Sequence, residues 1–115
     1  MLPLPYRLPG NRIPDILKNG NRTQGKLVSI IVINVSSPER VSRFTVIVPY
    51  RLSKKAVKRN RARRLIREAL RHNLNKVTNG YDIIVMAHIL LTNEPIGRIE
   101  TDIVSVLDHA HLLKT

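Results

Sequence analysis

The sequence predicts an α/β (α+β) two-layer sandwich, with elements in the order α-β-β-α-β-α and a small mixed sheet. Three observations point there. Two β-branched runs, LVSIIVINV at 27–35 and SRFTVIV at 42–48, flank the turn residues Ser37-Pro38-Glu39-Arg40. A long stretch from about Ser53 to Asn73 repeats its apolar residues at helical spacing. A third apolar run, YDIIVMA at 81–87, precedes another segment of helical period.

The chain has 115 residues, one domain's worth, and its hydrophobic fraction of 43% supports a buried core. Residues 1–12 read as a Pro-rich, irregular N-terminal arm. A short helix follows, with Pro14 in its first turn, Ile13, Ile16 and Leu17 as its apolar stripe, and Gly20 at its end. The first two strands are expected to form a hairpin across Ser37–Arg40. Thr78-Asn79-Gly80 breaks the chain after the long helix, and Thr92-Asn93-Glu94-Pro95 opens the last one. In that helix Ile96, Ile99, Ile103, Val106, Leu107 and Ala110 keep the 3.6-residue period. The first strand is apolar on both sides: Val28, Ile30 and Val32 face one way, Ile31, Ile33 and Val35 the other, with Ser29. Both faces therefore need covers. The long helix can cover one. The second is covered in part by the short first helix, leaving a shallow groove, or wholly by the last helix; the sequence leaves both open.

The charge is more specific than the composition. Twenty Lys and Arg against eight Asp and Glu give +12, and thirteen of the cations are Arg. The window 51–71 holds ten of them: Arg51, Lys54, Lys55, Lys58, Arg59, Arg61, Arg63, Arg64, Arg67 and Arg71. Its single acid is Glu68, so it carries +9 and the other 94 residues only +3. Like charges at helical neighbour spacing weaken an isolated helix. A bound polyanion explains them better than a solvated face does. Stepped at 100° per residue, Ala62, Leu65, Ile66, Ala69 and Leu70 form one broad face, and Asn60, Arg64, Arg67 and Arg71 form a ladder opposite. The polar first turns should overhang the sheet edge and leave the helix N-terminus open to phosphate. With aromatics at 3%, contacts to the nucleic-acid backbone and shape should outweigh base readout.

Chemistry borne by the protein itself is not visible. Without Cys there is neither a disulfide nor a thiolate metal site. His109 and His111 sit two apart on a helix and do not face each other. His88 reads as a satisfied or exposed polar residue and not a base, and His72 suits the negative end of the basic helix. The eight carboxylates are scattered, and neither a Gly-rich phosphate loop nor a nucleophile motif occurs, so catalytic and metal residues are both expected to be none. Apolar runs fall short of the ~20 residues that span a bilayer, and 1–7 has no continuous apolar signal region, so a cytoplasmic location and no membrane are expected.

The segment Ala56-Val57-Lys58-Arg59-Asn60-Arg61-Ala62-Arg63-Arg64-Leu65-Ile66-Arg67-Glu68 resembles the signature A-V-x-R-N-x-x-[KR]-R-x-x-R-[EQ] of the bacterial ribonuclease P protein subunit, meeting every fixed position. The Arg7-Leu8 start, the short helix ending Lys18-Asn19-Gly20, and Tyr81-Asp82-Ile83-Ile84-Val85 follow in family order, over about residues 6–112. The resemblance implies an RNA-binding subunit of an endoribonuclease that removes the 5′ leader of precursor tRNA. Its partners would be the catalytic RNA and the leader, as a monomer in a one-to-one ribonucleoprotein. The protein would bind no cofactor; Mg²⁺ would serve the RNA. Carried over, the RNA-binding set is Lys54, Lys55, Lys58, Arg59, Asn60, Arg61, Arg63, Arg64, Arg67 and Arg71, and the leader groove is Ile13, Leu17, Ser29 and Ile31. The resemblance also implies a left-handed β-α-β crossover, against the usual right-handed rule. Family members usually carry aromatics where this chain has the aliphatic Ile13, Leu17 and Ile31, and Tyr50-Arg51-Leu52 stands where Ser-Lys-Lys is common. Two other classes compete: a structural, ribosomal-type RNA-binding protein, and an anionic-membrane binder, which would need the helix's apolar face that the sheet also needs.

Overall fold

The computed structural model describes residues 2–114. Its regular elements are α1 (Ile13–Asn19), β1 (Asn21–Gln24), β2 (Val28–Asn34), β3 (Arg43–Ile47), α2 (Ala56–Arg71), β4 (Tyr81–Ala87) and α3 (Ile96–His109), joined in places by short 3-10 turns. Together they form the mixed sheet and helical layer that the apolar periods predict.

The strand order is β1-β2-β4-β3. This corrects the expected hairpin: β2 and β3 are not partners. β4 lies between them, antiparallel to β2 with Ile31 opposite Ile84, and parallel to β3 with Thr45 opposite Ile84. The turn at 37–40 does form, with Arg40 N–H donating to the Ser37 carbonyl at 2.9 Å, but the strands it joins diverge. The physical reason lies in β4. Its run from Asp82 to Val85 is buried on both faces, so it belongs in the centre, where both edges are paired. A parallel β3–β4 pair needs a crossover, and α2 is that crossover. The hairpin of this fold is instead β1–β2, closed around Gly25. β1 (Asn-Arg-Thr-Gln) has no apolar alternation, so it adds a strand that period reading does not place.

The helices α2 and α3 share one face of the sheet. Val28, Ile30 and Val32 of β2, Phe44 and Val46 of β3, and Ile83 and Val85 of β4 meet Ala62, Ile66, Ala69 and Leu70 of α2 and Ile99, Ile103, Val106 and Leu107 of α3 in one core. The last helix therefore cannot fill the opposite face. That face is covered by α1 and the arm: Leu8, Ile16, Ile31 and Ile84 form a second, smaller core. The arm is tied to the sheet edge, with Leu8 N–H donating to the Phe44 carbonyl at 2.9 Å. Asp102 of α3 anchors the turn into β2, accepting the N–H groups of Lys26, Leu27 and Val28 at 3.0, 2.8 and 3.0 Å.

Two carboxylates lock the elements electrostatically. Asp82 is fully buried on the α1 face and accepts from three guanidiniums: Arg43 Nε and Nη2 at 3.0 Å each, Arg40 at 3.2 Å and Arg12 at 3.3 Å. Burial pushes its carboxyl up, but the bonds and charge of Arg43, with bonds from Arg40 and Arg12, outweigh that and hold it below the ordinary carboxylate value. Glu100 of α3 accepts from Asn73 at 3.0 Å and sits 3.2 Å from His72, tying the end of α2 to α3; these bonds hold its carboxyl low as well. A carboxyl that titrates lower folded than unfolded adds stability above its unfolded value, near 4, and that stability is lost as the pH falls through the folded value. Asp82→Asn leaves Arg40 and Arg43 without their counter-charge and Arg12 with Asp15 alone, 3.2 Å away. Because the arginines keep partial solvent contact, we expect a loss of about 2–3 kcal/mol and a flatter acid limb, read by urea unfolding from about pH 3 to 7.

Candidate nucleic-acid interface

The basic stretch starts in a 3-10 turn over Tyr50–Leu52 and enters α2 at Ala56, three residues later than the sequence suggests. Ser53 Oγ accepts the Lys55 N–H at 3.1 Å, while no side chain caps the helix itself. The amphipathic division of α2 holds. Ala62, Ile66, Ala69 and Leu70 are buried; Lys54, Lys55, Lys58, Asn60, Arg61, Arg64 and Arg71 are exposed; Arg59, Arg63 and Arg67 are half-buried. Leu65, expected on the buried face, lies at its margin.

Three of these cations are partly engaged within the chain. Arg59 donates to the Ser53 carbonyl at 2.7 Å and lies 4.9 Å above the Tyr50 ring, so it braces the entry turn. Arg71 pairs with Glu68 at 3.6 Å, an exposed pair of small net value. Arg63 donates to the Asn60 carboxamide. Among the described residues, no acid pairs with Arg51, Lys54, Lys55, Lys58, Arg59, Arg61, Arg63, Arg64 or Arg67. Nine positive side chains thus gather on and before one helix without internal neutralisation. Such a surface concentrates anions and suits the repeating charge of a phosphate backbone.

The other face brings Ile13, Leu17, Ser29 and Ile31 to one side of the sheet but at different depths. Ser29 is fully buried, and its Oγ lies 2.5 Å from His88 Nε2, so of the two readings open for His88 the satisfied one holds. Ile31 is only 4% exposed, beneath α1 beside Ile16 and Ile84. Ile13 is half-buried and Leu17 is 46% exposed. The surface that a ligand could touch is thus Leu17 with the partly exposed Ile13, Ile33, Ile47 and Met86; Ser29 and Ile31 form its floor.

Several arginines outside the basic window enter these surfaces unforeseen. Arg22 of β1 reaches Met86 Sδ at 3.4 Å, Arg12, Arg40 and Arg43 gather on Asp82, and Arg7 lines a cleft of about 210 Å³ with Arg67, Phe44 and Thr45. Scattered in sequence, they gave no local signal; only strand pairing unites them. Among the described residues, no cluster of three or more His, Asp or Glu could hold a metal ion.

The family described as Ribonuclease P matches residues 7–111. The chain belongs to the ribonuclease P protein family. The ribonuclease P protein component of Pelotomaculum thermopropionicum is 44% identical over 57 residues, covering 50% of this chain and 51% of that one. That of Fusobacterium nucleatum is 41% identical over 73 residues, covering 64% and 63%. The matched stretches thus span about half to just under two-thirds of these relatives' length. Among solved ribonuclease P proteins, a Staphylococcus aureus variant described as defective in mRNA degradation superimposes with a TM-score of 0.79 at 25% identity, covering 94% and 90% of the two chains. The Thermotoga maritima protein does so at 0.78 and 23%, covering 90% and 96%. These likenesses confirm the ribonuclease P protein fold.

The two depths of the groove face separate structure from surface. We expect Ile31→Asp to cost about 3 kcal/mol or more, since it buries an unpaired charge. Leu17→Asp should change stability by no more than about 0.5 kcal/mol. Thermal unfolding of the two variants measures both.

Proposed function

We propose that the chain is the RNA-binding protein subunit of ribonuclease P, which removes the 5′ leader from precursor tRNA. One observation carries this reading: nine cations of the basic stretch stand unpaired by acids among the described residues, on and just before a helix whose other side is sealed into the core. The RNA-binding residues are then Lys54, Lys55, Lys58, Arg59, Asn60, Arg61, Arg63, Arg64, Arg67 and Arg71, with Arg59 also bracing the entry turn. The phosphates they neutralise release counterions, and that supplies most of the affinity. Arg forks add bidentate geometry that fixes the register of the RNA on the helix.

The catalytic centre belongs to the RNA subunit, which would hold the Mg²⁺ ions. The protein brings the leader to that centre. The leader crosses the face floored by Ser29 and Ile31, with Leu17 and Ile13 at its border. Aliphatic side chains there offer apolar contact and no ring stacking, which elsewhere contributes ~1–3 kcal/mol per base. The assembly takes one protein per RNA, in the cytoplasm. Among the described residues, no helix is long and apolar enough to cross a membrane.

Reconstitution tests the reading. Mixed with a bacterial ribonuclease P RNA at a Mg²⁺ concentration where that RNA alone is slow, the chain should accelerate leader removal; unchanged cleavage across protein concentrations contradicts it. In the same assay, Leu17→Asp should impair precursor cleavage while binding of mature tRNA to the holoenzyme stays unchanged. Equal loss in both assays removes the leader from this face.

A further inference from the structure

The basic helix carries an apolar surface that its charge does not explain. Val57 is 78% exposed in the first turn of α2, among Lys54, Lys55, Lys58 and Arg61. A β-branched residue there supports neither helix propensity nor the core. Positions 57, 61, 64, 65 and 68 follow one flank of the helix, and that flank faces the start of α3. Between them lies an open dip of about 650 Å³ lined by Val57, Arg61, Arg64, Leu65, Arg67, Glu68 and Ile96, the last 36% exposed. Three apolar side chains and three guanidiniums thus line it together. The one acid, Glu68, is engaged by Arg71 at 3.6 Å and His72 at 3.5 Å.

We infer that this dip receives an unstacked base of the catalytic RNA, so that the RNA contact extends from α2 onto the first turn of α3. Charge complementarity selects the occupant. An aromatic base has an apolar face that fits Val57, Leu65 and Ile96, and it is tethered to phosphates that Arg61 and Arg64 can reach. A lipid surface fits less well, because it calls for a continuous apolar strip, and the broad apolar face of α2 is already buried in the core. The inference rests on RNA being the partner. What it adds is a contact whose strength does not depend on salt, made by Val57 and Ile96.

Salt dependence separates the two kinds of contact. The full chain is titrated with ribonuclease P RNA over a range of monovalent salt, as wild type, Val57→Ser, Ile96→Ser and Arg64→Ala, with thermal unfolding as the check on folding. Val57→Ser and Ile96→Ser should each weaken binding about three- to tenfold at every salt concentration and leave the slope of log K against log salt unchanged. Arg64→Ala should lower that slope by roughly 0.7–0.9. Wild-type affinity in Val57→Ser, the more exposed position and so the cleaner variant, overturns the inference. So does a Val57→Ser loss confined to phosphatidylglycerol vesicles. Absence of salt-dependent RNA binding by the wild type refutes the proposed function itself, a distinct outcome.

Discussion

One-sided burial of α2 is the constraint on which the rest depends. Within the helix six cation pairs stand at i,i+3 or i,i+4: Lys58/Arg61, Arg59/Arg63, Arg61/Arg64, Arg63/Arg67, Arg64/Arg67 and Arg67/Arg71. At ~0.2–0.5 kcal/mol per pair their repulsion amounts to about 1–3 kcal/mol. Burying Ile66 and Leu70 alone returns about 3–6 kcal/mol, before Ala62 and Ala69 are counted. Packing therefore wins and holds the helix against α3 and the β3 side of the sheet. The same rotation that buries those four residues points the cations at solvent. The order of burial and the order of charge are one geometric fact.

The chain uses arginine in two contrasting ways. Around Asp82, three guanidiniums converge on one buried carboxylate and join the turn before α1, the β2–β3 connection and β3 to β4. On α2, guanidiniums of the same chemistry meet almost no acid. The difference lies in where the eight acids are placed. Asp82, Asp102 and Glu100 all serve as internal fasteners, binding guanidiniums, backbone N–H groups and a helix end respectively. Only Glu68 falls inside the basic window. Local charge, and not net charge, marks the face proposed to bind RNA.

Much of this was legible in the sequence because it is periodic. The division of α2 into Ala62/Ile66/Ala69/Leu70 and its cationic flank follows from 100° steps, and the two apolar faces of β2 follow from alternation. What stayed hidden depends on pairing between distant segments. β1 carries no apolar alternation, so nothing marked Asn21–Gln24 as a strand. The turn at Ser37–Arg40 resembles a hairpin turn, and only the two-sided burial of β4 shows why that strand enters between β2 and β3. Residue type likewise did not predict depth: Ser29 and Ile31 lie on the expected face, yet both are buried, Ile31 beneath α1 and Ser29 against His88, while Leu17 stays open. The Asp82 cluster joins residues 12, 40, 43 and 82, a convergence no local pattern announces.

The two arginine populations give the central claim its most direct measurement. Modification of the folded chain by an arginine-directed dicarbonyl, followed residue by residue in the absence and presence of ribonuclease P RNA, reads both at once. The account predicts that Arg61, Arg64 and Arg67 react in the free chain and become protected by RNA, while Arg12, Arg40 and Arg43 change little. Arginines of α2 that stay as reactive in the complex as in the free chain would contradict it.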